Sequence, residues 1–162
     1  MIDYYETKQH PITKKMVLDA YRKVRANKGS TGIDTQSLEQ YGERLTDNLY
    51  KIWNRMTSGS YHPEAVREVQ IPKKSVGYRG LGIPTVSDRI AQQVVKSYLE
   101  PKVEPSSHQD SYGYLPNKSA HDALAKTVRN CGYYSWVVDL DLHGFFDNID
   151  HELLMKAVRV DL

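Results

Sequence analysis

"WVVDLDLHGFFDNIDHELL" (136–154) reads as a strand, a turn and the start of a helix, yet it carries carboxylates where a buried strand carries hydrocarbon. With a period of two, Trp136, Val138, Leu140 and Leu142 point one way and Val137, Asp139 and Asp141 the other. Alternate residues on one face lie about 6.5 to 7 Å apart at a rise of ~3.3 Å per residue. Asp139 and Asp141 therefore repel one another unless a cation sits between them or water screens them. A strand with one wet acidic face satisfies the pattern. So does a pair of hard oxygen ligands.

The second reading has a chemical reason behind it. Phosphoryl transfer by two Mg²⁺ ions, roughly 3.5–4 Å apart, needs oxygen ligands that lower the attacking oxygen's pKa and stabilise the leaving pyrophosphate. Asp141 is the better first ligand. It ends the strand beside a turn at Gly144, where its carboxylate and the Leu142 carbonyl reach one ion together. Asp147 and Asp150 are expected as caps at the start of the following helix.

The rest of the chain sets the frame. With 162 residues, 40% hydrophobic and 26% charged, it has the apolar content for a packed core and the length for one domain, or one and part of a second. No apolar run approaches the roughly 20 residues of a membrane span, and "MIDYYETKQHPITKK" lacks the apolar segment of a secretion signal, so the expectation is a cytoplasmic protein with no membrane partner. Cys131 is the single cysteine, which excludes an intramolecular disulfide and a cysteine zinc site. A net charge of +2 hides polarity along the chain. Residues 66–102 hold seven Lys/Arg against three acids, and residues 139–162 hold six acids against two bases. Separate basic and acidic zones suit a nucleic-acid enzyme with carboxylate-bound metal, and equally two solvated faces.

Apolar spacing predicts a helix through Met16, Val17, Ala20, Tyr21 and Val24, capped by Thr13. A longer helix follows from Leu38 through Met56. A hairpin is expected at about 66–84, with "KKSVGY" at its tip: Arg67, Val69 and Ile71 share one face of the first strand, Arg79, Leu81 and Ile83 one face of the second. Ser87 or Thr85 caps a helix carrying Ile90, Ala91, Val94, Val95, Tyr98 and Leu99, which Pro101 is expected to stop. A loop follows to residue 118, then a helix from about Ser119 to Asn130, the strand 136–142 and a last helix from about Asp150.

Four blocks in this order, "VRANKGSTGID" (24–34), "IPKKSVGYRGLGIPTVSDRIAQQ" (71–93), "SYGYLPNKSAHDAL" (111–124) and "VVDLDLHGFFDNIDHELL" (137–154), resemble the reverse transcriptases encoded by group II introns, the maturase type. The resemblance implies an α+β fold. Mostly helical fingers with a β-hairpin would occupy 1–135, and 136–162 would begin a right-hand polymerase palm, the chain being a truncated portion without the remaining palm and thumb. It implies RNA-directed DNA polymerase activity with two Mg²⁺ ions, an RNA template or intron RNA, a DNA primer and deoxynucleoside triphosphates.

By position, the resemblance makes Asp141 the catalytic metal ligand, together with the Leu142 carbonyl, and Phe146 the ring that excludes a 2′-OH. Lys73 and Arg79 would hold the incoming triphosphate, with Lys74 next in line. Arg89, Gln92 and Lys96 lie on a polar helix face suited to template backbone, although solvated charge accounts for such a face as well, and better for Lys96. Three positions depart from the family pattern: Gly80 replaces a proline, Leu115 an arginine and His143 a lysine or arginine.

The family's second motif, an adjacent Asp pair, occurs nowhere, so this chain by itself is expected not to polymerise DNA. The strand 136–142 would then offer an open edge, expected to pair with another chain as a homodimer or swapped assembly. An RNA-binding splicing factor without polymerase activity, served by Lys15, Arg22 and Arg25 among the basic residues near the N-terminus, is the reading from a different class. Retron and CRISPR-associated reverse transcriptases share the same blocks.

Overall fold

The Thr13 hydroxyl accepts the Met16 N–H at 3.2 Å and opens α1 (Lys14–Asn27), whose Val17, Ala20, Tyr21 and Val24 are all buried. A computed structural model describes residues 11–73 and 76–161, which fall into two compact units divided between Tyr98 and Leu99.

In the first unit, Ser37 and Gln40 form a reciprocal capping box that starts α2 (Leu38–Glu43), and α3 (Leu45–Thr57) follows directly. Apolar spacing predicts one helix here. The structure divides it at Arg44 (φ −119°, ψ 42°), just after Gly42, a weak helix former. The break leaves the Tyr41 carbonyl to accept from the Asn48 side-chain amide at 3.0 Å. Tyr41, Ile52 and Met56 point inward against the α1 stripe, and the Tyr21 and Tyr41 rings stack with centroids 6.1 Å apart. Trp53 donates its indole N–H to the Ile12 carbonyl at 3.0 Å, with the Lys14 ammonium 4.7 Å from its ring centroid.

The hairpin forms as expected from β1 (Arg67–Pro72) and β2 (Tyr78–Ile83), antiparallel, with Arg67 opposite Ile83, Val69 opposite Leu81 and Ile71 opposite Arg79. These six residues therefore share one face. Gly80 sits within β2 opposite Gln70.

Thr85 starts α4 (Val86–Val103): its hydroxyl accepts the Asp88 N–H at 3.1 Å and donates to the Asp88 carboxylate at 2.7 Å. Val86, Ile90, Ala91 and Val94 complete the core. The helix runs past Pro101 to Val103, a correction to the expected stop. Pro101 forgoes its own N–H bond, and the helix continues through it for two more residues.

Asp88 is 3% exposed and lacks a cationic partner among its described contacts. It accepts instead from the Tyr61 hydroxyl at 2.7 Å, the Thr85 hydroxyl and the Glu64 backbone N–H at 3.3 Å. The "KGSTGID" segment docks against the same helix start. A Cβ on Gly32 would lie 2.6 Å from the Thr85 Cα, so only glycine permits the approach.

The second unit holds a 3₁₀ turn (Glu104–Ser106), α5 (Ala120–Cys131) and α6 (His151–Asp161). Ser119 and Asp122 cap α5 reciprocally, and the Asp150 carboxylate accepts the N–H groups of Glu152 (2.8 Å) and Leu153 (3.0 Å) to cap α6. The α+β class stands, carried by the helices and the hairpin. The strand expected over 136–142 is a correction. This stretch pairs with no other strand among the described residues, and Trp136, Val138 and Leu140 are 80% exposed or more. A strand exists only through a neighbour's hydrogen bonds, and alternation in sequence supplies none. Among the described residues no helix is long and apolar enough to cross a membrane.

Replacing Gly32 with Ala should lower stability by about 1–3 kcal/mol, measured by denaturant unfolding, because backbone must move to admit the methyl. Burial raises the Tyr41 hydroxyl from 10.0 to about 12, and burial together with the Asp88 carboxylate raises Tyr61 further still. Unfolded tyrosines ionise near 10 while these two keep their protons, so the folded state binds more protons above that pH. The contribution of these two hydroxyls to stability should be level below about pH 10 and fall as pH rises from there towards 12. Thermal melts across that range, read beside phenolate absorbance, check it.

Candidate active site

Gly144 (φ +60°) lets the chain turn sharply after residue 142, and its carbonyl accepts from the Asp147 and Asn148 N–H groups, both at 3.1 Å, and from the Asn148 side-chain amide at 2.9 Å. The turn forms an open hollow of about 690 Å³ lined by Asp141, Leu142, Phe145, Phe146 and Asp147. The two rings meet edge to face with centroids 5.3 Å apart, Phe145 47% exposed and Phe146 85%. Phe146 is thus the open ring of the pair. Asp139 and Asp141 are both exposed.

Of the two carboxylates expected as caps, Asp150 caps α6, whereas Asp147 shares the hollow with Asp141. The spacing of an acid four residues before a helix start does not reveal this; the Gly144 turn decides it. Asp141, Asp147 and the Leu142 carbonyl are hard oxygen donors of the kind Mg²⁺ takes. Among the described residues, however, no group of three or more His, Cys, Asp or Glu side chains gathers into a metal cluster. The donors fit in kind and do not fill six positions.

Lys73 and Arg79 stand on the exposed hairpin of the first unit. The Lys73 N–H donates to the Gly77 carbonyl at 2.9 Å and closes the tip, where Gly77 has φ +110°. Lys74 lies outside the described residues. Gln92 is exposed on α4. Arg89 is not spread towards solvent: Nη1 donates to the Lys28 carbonyl at 3.2 Å and Nη2 to the Ser30 carbonyl at 3.1 Å. Arg89, Gln92, Gln93 and Lys96 line a hollow of about 320 Å³ with Asn27 and Lys28. Lys28, one of the basic residues near the N-terminus that the RNA-binding reading draws on, also lines this hollow. Lys15, Arg22 and Arg25 lie on the outer side of α1, opposite its buried stripe, with Arg22 held to Asp19 at 3.0 Å in an exposed ion pair worth little.

In the second unit, Lys118 turns its ammonium inward onto the carbonyls of Gln109 (2.5 Å) and Ser111 (2.7 Å), 5.0 Å from the Tyr112 ring centroid. Lys126 reaches Asp110 at 3.3 Å. The loop around Leu115 is therefore tied by its own cations.

A model of the family described as "Reverse transcriptase (RNA-dependent DNA polymerase)" matches residues 71–160. The chain is 38% identical over 149 residues to Protein YkfC of Escherichia coli strain K12, covering 87% of this chain and 39% of that protein. It is 36% identical over 146 residues to the group II intron-encoded protein LtrA of Lactococcus lactis subsp. cremoris, covering 88% and 24%. Against nuclear intron maturase 2, mitochondrial, of Arabidopsis thaliana it is 32% identical over 75 residues, covering 46% and 10%. The chain thus spans less than two-fifths of the length of each of these relatives.

Proposed function

The chain belongs to the reverse transcriptase (RNA-dependent DNA polymerase) family, of the kind that group II introns encode, and we propose on that footing that it contributes the nucleotide-binding hairpin and one metal-ligating turn to an RNA-directed DNA polymerase. In this reading residues 1–135 are fingers and 136–162 open the palm. The observation that carries it is the shared hollow of Asp141 and Phe146, a carboxylate and an exposed ring set side by side by one glycine turn.

Asp141 and the Leu142 carbonyl would hold Mg²⁺, with Asp147 close enough along the turn to contribute a further oxygen. Bound there, the metal supplies a lowered pKa for the attacking primer 3′-OH and charge neutralisation on the triphosphate. The Phe146 ring forms a flat wall beside the sugar, and a wall without a polar partner disfavours an added 2′-hydroxyl. Lys73 contributes a mobile point charge and Arg79 a planar fork, two complementary ways of holding polyphosphate. Exposed bases along α1 and α4 would bind template or intron RNA through its phosphates.

The second reading, an RNA-binding maturase that does not polymerise, is supported by the same basic surface. Asp141 separates the two. In the full-length protein, Asp141→Ala should abolish primer extension and leave RNA affinity within about twofold, since the carboxylate contributes no phosphate contact. Equal loss of both would remove the metal role. Phe146→Val should admit ribonucleotides, narrowing the deoxy-over-ribo ratio of kcat/KM by at least about tenfold in single-nucleotide incorporation.

A further inference from the structure

Arg89 makes its two described hydrogen bonds to backbone carbonyls 59 and 61 residues earlier in the chain. Its Nε is buried and has no hydrogen-bond partner among the described residues, so the two Nη bonds are what hold the guanidinium against the turn. Lys28 caps α1 in a left-handed region (φ 56°), and Gly29 follows with φ +124°. Its backbone angle favours glycine, and a Cβ there would lie 2.5 Å from Arg89 Nη1, so a side chain at this position would also push the guanidinium aside. Three features thus interlock: the α1 C-terminus, the glycine turn and Arg89, the fourth residue of α4.

The consequence is a groove. Asn27 and Lys28 line one hollow with Gln92, Gln93 and Lys96, and the turn that presents Lys28 is held by Arg89. Lysines offer charge to phosphate, and side-chain amides offer donors and acceptors to ribose hydroxyls, the combination that favours an RNA strand. A guanidinium committed to two carbonyls has fewer donors left for phosphate.

We infer that Arg89 is a positioning residue, which builds an RNA-backbone groove by locking the Lys28–Ser30 turn rather than by touching the strand. This rests on the RNA-binding reading above. It differs from the template contact that sequence resemblance assigned to the same side chain.

The test uses the full-length protein with an unstructured RNA oligonucleotide, and the variants Arg89→Ala, Lys28→Ala, their double and Gly29→Ala. Two readouts are taken, RNA affinity and amide hydrogen exchange over residues 28–32. Arg89→Ala should speed exchange in the turn and weaken RNA binding about tenfold. Lys28→Ala should weaken binding with exchange unchanged, and the double variant should bind no more weakly than Arg89→Ala alone, because the two act in series. Gly29→Ala, which keeps every charge, should reproduce Arg89→Ala; it also serves if the arginine variant folds poorly. Unchanged exchange in Arg89→Ala, with additive losses in the double, would overturn the inference in favour of direct contact. Faster exchange with RNA affinity unmoved in every variant would sink the RNA reading of the groove while leaving the clamp itself established.

Discussion

A single buried carboxylate organises the first unit. Asp88 cannot be taken out of water without compensation, and it finds that compensation in two hydroxyls and one backbone N–H, two of them from the segment 61–64 and one from Thr85. The bond to Thr85 fixes where α4 begins, the bond to Tyr61 ties down the segment that follows α3, and the Glu64 N–H holds the approach to the hairpin. Once α4 starts there, Thr85 presents bare backbone to Gly32, and Arg89 is aimed at the carbonyls of Lys28 and Ser30. The core and the basic groove are thus two consequences of one helix start.

The second unit is held differently. Its order comes from short-range hydrogen bonds: the Ser119–Asp122 box, the Asp150 cap, the Gly144 turn and the Lys118 clamp across its own loop. None of its described side chains is buried, and residues 136–142 expose both their apolar and their acidic positions. Such bonds suffice to shape a turn that sets Asp141, Asp147 and Phe146 around one hollow. They do not surround a metal with six oxygens. The chemistry assigned to Asp141 draws on family membership and on the type and placement of its neighbours together.

Charge is used in two ways in the molecule. Lys73, Lys15 and Arg25 present their charge to solvent, as polyphosphate or RNA recognition needs. Arg89 and Lys118 turn theirs onto backbone carbonyls of their own chain. A count of basic residues does not distinguish the two uses, and the distinction decides which substitutions change binding directly and which change it through the shape of a loop.

What the sequence determined by itself is what local chemistry fixes. The α1 stripe and its Thr13 cap, and the hairpin with its face of Arg67, Val69 and Ile71, depend on residues within a few positions of one another; for the caps of α4 and α6 the sequence offered Thr85 or Ser87 and both Asp147 and Asp150, and the structure uses Thr85 and Asp150. What only the tertiary structure decided depends on distant partners. The division of the second predicted helix at Arg44, the passage of α4 through Pro101, the buried Asp88 network, the clamp of Arg89 on a turn some sixty residues away and the unpaired state of 136–142 are of this kind. Periodicity records which face of an element seeks burial. It holds no record of which remote carbonyl a guanidinium will find, or of whether a strand has a neighbour to bond.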